Sequence, residues 1–237
     1  MTASLPVGKF RPKSQRRSMK LKERLITRAF TKLYYDCWRK GHKTGTSPAT
    51  LSLHWFGHEM LKCPMDLWVY QEIISERRPD WIVECGTYRG GSALYMASLL
   101  DLLGHGRIAT IDPNDYERRP EHPRIHYVKG SSTDTAIVDQ IRTMVDGQRC
   151  LVILDSDHAR DHVRQELDLY CEMVHVGDYL IVEDSCVNSH PVYRRHGPGP
   201  MEALRDFLTH DSRFIVDRER ERFLLTMNPS GYLKRIG

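Results

Sequence analysis

The sequence predicts an α/β fold: a mostly parallel sheet with helices on both faces and an antiparallel hairpin at its C-terminal end. Three observations carry this. Short apolar runs suited to buried strands occupy 81–85, 107–112, 125–129, 150–155 and 179–183. Helical stretches at 91–103, 133–146 and 159–174 fall between them, and such alternation builds parallel sheets covered on both faces. Near the C-terminus, Phe214-Ile-Val216 and Phe223-Leu-Leu-Thr226 are separated only by the polar run 217–222, a link too short for anything but antiparallel pairing.

Taken in order, the chain opens on a polar, basic stretch of seventeen residues with prolines at 6 and 12, expected to be poorly ordered. From Ser18 a helical period places Leu21, Leu25, Ile26, Ala29, Phe30, Leu33, Tyr34 and Cys37 on one face. Two readings of this helix compete: an apolar face packed on the domain or a sister subunit, which is favoured, and a membrane or polyanion surface. Gly41 to Pro48 reads as a linker, dividing a basic N-terminal region (1–45) from a folded domain (46–237). Residues 9–43 carry +11 of a net +4, so the remainder carries −7, which argues against a nucleic-acid-binding domain. No apolar span is long enough to cross a membrane and no signal-peptide pattern is present. The six cysteines form no C-x-x-C pair and several lie in apolar runs, as expected of reduced, buried thiols in a cytoplasmic protein.

Pro64 opens a helix that runs to about Arg77 and is stopped by Pro79. Ahead of the C-terminal hairpin, Pro200 precedes a further helix, Met201 to Leu208. The first sheet strand, Trp81-Ile-Val-Glu84-Cys, turns through Gly86-Thr87-Tyr88-Arg-Gly90-Gly91 into a helix at Ser92. A strand, a glycine turn and a helix N-terminus allow close backbone approach and offer unpaired N–H groups to a nucleotide-type ligand. A dinucleotide fingerprint needs glycines at i, i+2 and i+5, and these fall at 86, 90 and 91.

Ligands of open parallel sheets bind beyond the carboxyl ends of the strands. There the second strand ends in Asp112, placed to accept ribose hydroxyls. The third is followed by Ser132 and Asp134, placed to read an adenine edge, with helix capping by Ser132 or Thr133 as the alternative. The fourth ends Asp155-Ser-Asp157-His158 and the fifth Glu183-Asp184. Carboxylates converging on one edge repel one another. A hard divalent cation relieves this, with salt bridges to Arg160 or Arg164 as the alternative. His158 suits a general base, its ordinary pKa lying near 6.5; a surface histidine at a helix start is the plainer reading. A zinc H-E-x-x-H motif fails at Ala159.

Glu84-x-Gly86-x-x-x-Gly90 resembles the first motif of S-adenosylmethionine (SAM)-dependent methyltransferases, whose acidic residue faces the methionine ammonium. With Leu154-Asp-Ser-Asp-His158, Tyr179-Leu-Ile-Val-Glu-Asp184, His190-Pro191-Val192, Gly197-Pro-Gly-Pro200 and Asn228-Pro-Ser-Gly-Tyr-Leu233, the chain from about Trp55 onward resembles the cephalosporin hydroxylase/rhamnosyl O-methyltransferase family. The resemblance implies a Rossmann-like SAM-methyltransferase sheet, SAM and a divalent metal such as Mg²⁺. Catechol O-methyltransferase-like enzymes imply the ligand set Asp155, Glu183 and Asp184; they carry a lysine base where this chain has His158.

The resulting expectation is a Mg²⁺-assisted, SAM-dependent O-methyltransferase acting on a free hydroxyl of a small glycosylated or secondary metabolite, in a homo-oligomer. SAM is expected on Glu84, Gly86, Thr87, Tyr88, Ser92 and Asp112, with the adenine near Ser132 and Asp134. Asp155, Glu183 and Asp184 are expected to hold the metal, and Asp155 and His158 to serve catalysis. His190 and the Gly197–Pro200 loop are placed at the acceptor pocket. A nucleotide-cofactor oxidoreductase or hydroxylase, and a non-catalytic protein acting through its basic helix, are the alternatives.

Overall fold

The structure, a computed structural model, describes residues 21–44 and 53–237, and for 37–44 the backbone alone. A helix, α1 (Leu21–Thr44), is followed by a two-stranded hairpin, β1 (Leu53–Trp55) and β2 (His58–Met60). Then come α2 (Pro64–Arg77), β3 (Trp81–Cys85), α3 (Gly91–Leu103), β4 (Arg107–Asp112), β5 (Ile125–Lys129), α4 (Thr135–Val145), β6 (Cys150–Leu154), α5 (Arg160–Tyr170), β7 (Tyr179–Val182), α6 (Pro200–His210), β8 (Phe214–Val216) and β9 (Tyr232–Arg235). Seven strands form one sheet in the order β5-β4-β3-β6-β7-β9-β8. The first five run parallel, and β9 is antiparallel to both β7 and β8. This is the sheet the sequence predicts.

The central strands β3, β6 and β7 are buried on both faces because their side chains alternate between two apolar layers. Ile82, Ile108, Leu151, Ile153 and Ile181 pack with α2 and α3. Val83, Cys85, Ile111, Val152, Leu154 and Val182 pack with α4, α5 and α6. Cys63, Cys85, Cys150, Cys171 and Cys186 are buried free thiols, as expected.

Two expectations are corrected, and one element is new. The segment 223–226 is not a strand. Asp66, buried in the first turn of α2, accepts hydrogen bonds from Thr226 Oγ1 at 2.5 Å and from the Met227 amide at 2.9 Å. Those bonds hold this backbone on α2 rather than in the sheet. The last strand forms instead at Tyr232–Arg235, where the Tyr232 hydroxyl also donates to Asp66 at 2.7 Å. The hairpin β1–β2 went unforeseen; its two turn residues, Phe56 and Gly57, both take positive φ (47° and 84°), the geometry that tight hairpins favour.

The expected linker is wrong over 41–44, where α1 continues to Thr44. Its remainder, 45–48, and the expected disorder of the first seventeen residues lie outside the described residues. The apolar face of α1 packs on the domain only in part, through Tyr34. Tyr35 packs in a small cluster with Cys63, Cys186 and Met227, while Leu21, Leu25, Ile26, Phe30 and Leu33 are 53–74% exposed.

Candidate active site

At the carboxyl ends of β3, β4 and β6 lies a cavity of about 440 Å³, within the ~300–1,000 Å³ range of small-ligand sites. Gly86 makes it possible. A Cβ at that position would stand 1.9 Å from the Asp155 carbonyl oxygen, so only glycine lets the β3 turn pass under the end of β6. Its amide and that of Thr87 donate to the Ile111 carbonyl at 2.8 and 3.2 Å, tying the turn to β4. Gly91 is similarly fixed: a Cβ there would stand 2.3 Å from the Glu59 carbonyl oxygen, so the β1–β2 hairpin lies directly on the start of α3.

Of the expected cofactor residues, Gly86, Thr87, Tyr88, Ser92, Asp112 and Ser132 line this cavity. Asp112 accepts backbone N–H groups of Tyr88 and Asn114, both at 2.8 Å, and is thereby aimed along the cavity wall. Thr87 is steadied by a 2.7 Å hydrogen bond with Thr110. Two residues are placed differently. Glu84 is fully buried below the turn, one oxygen accepting from Ser92 Oγ at 2.5 Å and the other from Thr110 Oγ1 at 2.6 Å. Both oxygens brace the turn from within, so Glu84 does not face a ligand ammonium. Asp134 caps α4, accepting the Ala136 amide at 2.9 Å, and takes the capping role the sequence left open for Ser132 or Thr133.

The carboxylate cluster forms, with a partner the sequence did not disclose. Lys62, in the loop between β2 and α2, is buried with its ammonium donating to both Asp155 and Glu183. Glu183 also accepts the Tyr70 hydroxyl at 2.6 Å. Burial and then the neighbouring Asp155 push the Glu183 carboxyl up to about 8, against the pull of Lys62 and Tyr70. Burial acts on Asp155 in the same sense, but Lys62 and His158 outweigh it and hold Asp155 below its ordinary value. Arg160 and Arg164, the expected alternatives, pair instead with Asp206 and, respectively, Asp161 and Asp168.

Glu183 is thus directed at Lys62 and Tyr70, and the expected metal set is not the one that converges. Among the described residues, Asp155, His158 and Asp184 each offer one ligand atom within 4.8 Å of the others. His158 Nε2 lies 3.4 Å from Asp155 Oδ1 and 3.4 Å from Asp184 Oδ2. Burial disfavours the charged imidazole, but Asp155 and Asp184 outweigh it and raise His158 to about 9. Two carboxylates that borrow a proton from a histidine are a donor set with room for a cation's charge.

His190 does not reach the cavity: its Nε2 is 2.7 Å from Glu202 of α6. In the Gly197–Pro200 loop, Gly199 caps α6 and Pro200 begins it. Gly199 also runs close to the His158 backbone, where a Cβ would stand 3.1 Å from its carbonyl oxygen. The sequence missed Lys62, Tyr70, Ser156, His162 and Glu166. Lys62 alone left a trace, as one charge between Met60-Leu61 and Cys63-Pro64.

The chain matches the Rhamnosyl O-methyltransferase/CmcI family over residues 49–236. Rhamnosyl O-methyltransferases of Mycobacterium tuberculosis and Mycobacterium bovis are 36% identical over 210 residues, 85% of this chain and 83% of theirs. That of Mycobacterium leprae is 36% identical over 189 residues, 76% and 82% of the two chains. Among solved structures, CmcI described with Mg and SAM aligns with a TM-score of 0.62 and 24% identity, over 78% of this chain and 77% of that one. The CmcI apo-structure aligns with a TM-score of 0.62 and 23% identity, over 98% and 89%. At these identities the structural likeness speaks for the fold.

Proposed function

The chain belongs to the Rhamnosyl O-methyltransferase/CmcI family, and from that premise we propose that it is an O-methyltransferase transferring the SAM methyl group to a hydroxyl of a small glycosylated or secondary metabolite. The observation that carries this reading is the juxtaposition of the glycine-turn cavity with Asp155, His158 and Asp184 on its wall. Ser92, Asp112 and Ser132 would bind the cofactor along the cavity, whose Gly86 turn packs directly against the end of β6.

Asp155 and Asp184 would hold a divalent cation such as Mg²⁺, which when bound lowers the pKa of an acceptor hydroxyl and orients it. Glu183 acts through Lys62 in this scheme, keeping the ammonium against Asp155. His158 Nε2, relieved of its place between two carboxylates, would take the hydroxyl proton. The rhamnosyl relatives favour a deoxysugar among the possible acceptors. The reading is tested by titration calorimetry with SAM and NADH, followed by mass spectrometry of rhamnosyl glycosides incubated with SAM and Mg²⁺. Heat from SAM and a 14-dalton mass gain support it; NADH binding without SAM binding refutes it in favour of an oxidoreductase.

Two further parts of the reading concern surroundings. No helix among the described residues is long and apolar enough to cross a membrane, in keeping with a cytoplasmic enzyme. The outward stripe Leu21, Leu25, Ile26, Phe30 and Leu33 is suited to a second copy of the chain. Charge favours that occupant, because the basic 9–43 segment would meet a remainder carrying −7. Deleting residues 1–40 should lower the number of chains per particle measured by light scattering. An unchanged number, with vesicle binding lost, would assign the stripe to a membrane.

A further inference from the structure

A second, smaller cavity adjoins the first. Leu61, Lys62 and Asp184 line both and so divide one from the other. The outer wall of the second cavity is α1, which contributes Tyr34 and Tyr35. Tyr35 is buried, and its ring stacks on that of Tyr193 in the loop after β7, with centroids 6.3 Å apart and an interplanar angle of 28°. Tyr34 is half-buried, and among the described residues its hydroxyl has no hydrogen-bond partner. Burial, helped by Cys63 and Asp66, pushes that hydroxyl up to about 12, so at neutral pH it is an uncharged donor.

Methyl transfer is an in-line displacement. The acceptor oxygen bonds to the methyl carbon on the side opposite the sulfonium, the carbon–sulfur bond breaks with its electron pair left on sulfur, and the hydroxyl proton passes to a base. The sheet order sets Asp112, at the end of β4, and Asp184, after β7, on opposite sides of β3 and β6. With the cofactor held at Asp112, the acceptor therefore comes from the Asp184 side, where the second cavity lies. That cavity measures about 20 Å³, room for a single water or hydroxyl group and too little for a sugar ring. Its outer wall can give way. Of the described α1 side chains only Thr31 and Tyr35 are buried, and an element with few buried apolar contacts opens at small cost.

Resting on the O-methyltransferase reading above, we propose that the second cavity is the acceptor pocket, that the inner face of α1 is its lid, and that Tyr34 and Tyr35 are specificity-determining residues for a sugar. A deoxysugar presents a flat patch of C–H bonds with hydroxyls around its rim, and tyrosine matches it with an apolar ring and a polar tip. The Tyr35 ring, backed by Tyr193, covers the C–H patch, and the Tyr34 hydroxyl bonds a hydroxyl of the rim. α1 moves outward to admit the sugar and settles back on it.

Steady-state methylation of p-nitrophenyl α-L-rhamnopyranoside by the full chain tests this, beside titration calorimetry with S-adenosylhomocysteine. Tyr34→Phe should raise KM for the glycoside about three- to tenfold, the loss of one neutral hydrogen bond. Tyr35→Ala should raise it further, and Tyr35→Phe, which keeps the ring, should recover most of that loss. All three should bind S-adenosylhomocysteine to within about twofold of wild type, because only acceptor binding is touched. Amide exchange over residues 21–36 should slow when the glycoside joins the S-adenosylhomocysteine complex and not with S-adenosylhomocysteine alone. A KM unmoved in both Tyr34→Phe and Tyr35→Ala, exchange indifferent to the glycoside, or equal loss of cofactor and acceptor affinity in Tyr35→Ala overturns the proposal while the SAM reading stands. A wild type that binds S-adenosylhomocysteine but does not methylate the glycoside removes the sugar acceptor and this proposal with it. Failure of wild type to bind S-adenosylhomocysteine overturns the SAM reading as well.

Discussion

Replacing Lys62 by methionine keeps most of the side chain's apolar stem and deletes its charge. The ammonium is 3% exposed and is shared by Asp155 and by Glu183, itself 6% exposed. Removing one partner of a buried ion pair costs about 3–5 kcal/mol, chiefly because the charge left behind has lost both water and partner. For a chain of 237 residues, each kcal/mol moves the melting temperature by ~2–4 °C, so Lys62→Met should melt roughly 6–20 °C below wild type in chelator. The pH dependence has a definite sign. Glu183 is already raised, to about 8, with Lys62 in place, and loses that counter-charge in the variant. A carboxyl whose folded pKa lies above its unfolded value destabilises the fold above the unfolded value and is relieved as the pH falls through the folded one. The deficit should therefore be larger at pH 9 than at pH 6. Glu183→Gln added to Lys62→Met should recover part of the loss, and Mg²⁺ should raise the melting temperature of the single variant more than that of wild type. Calorimetric melts over pH 6–9, with and without Mg²⁺, read all of this. A variant melting within 2 °C of wild type, with no response to pH, would show that Lys62 does not neutralise the cluster.

Chelation should abolish methyl transfer and leave SAM affinity within a few-fold, with Asp184→Asn behaving like chelation and Mg²⁺ restoring only wild type; full activity in chelator would reduce these carboxylates to structural charges. Asp112→Ala should weaken SAM by ~1.5–3 kcal/mol in calorimetry, the size of hydrogen bonds involving a charged group. His158→Ala should lower kcat by ~10²–10⁴ and remove the acidic limb of the pH–rate profile, because a base must be unprotonated; a wild-type profile would move the proton elsewhere. Glu202 is held below its ordinary value, burial opposing but the Gly199 amide and His190 prevailing. Its contribution is present above the unfolded pKa, about 4.3, and is lost as the pH falls through the lower folded one. The stability gap between wild type and Glu202→Gln, read from urea titrations, should accordingly close below about pH 4.

The central parallel strands were legible because both faces are buried, which makes each a short, largely apolar run, and because Pro64, Pro79 and Pro200 mark helix limits. Asp112, Asp155 and Asp184 were legible because strand ends point at the ligand edge of such a sheet. What escaped depends on contacts between distant residues. Lys62 meets Asp155 across 93 positions and Glu183 across 121, and no local pattern encodes either pairing. The same holds for Asp66, whose bonds to Thr226 and Met227 cancel a run that reads as a strand. Glu166 looked like one more charge on a polar helix, Arg160-Asp-His-Val-Arg-Gln-Glu-Leu167; its inward direction follows only from its place beside Val163 and Leu167. Glu84 misled for the opposite reason. Its position in the motif is right, and the strand's own pleat turns it under the loop rather than into the cavity.

The 1.9 Å that separates a notional Gly86 Cβ from the Asp155 carbonyl bears on how enzymes of this architecture can be rebuilt. The turn after β3 and the exit of β6 are interlocked at one point, so neither can be exchanged alone without reproducing the other's backbone path. Chimeras that swap 81–92 between relatives while retaining a foreign 150–158 should express poorly, and those that move both segments together should fold.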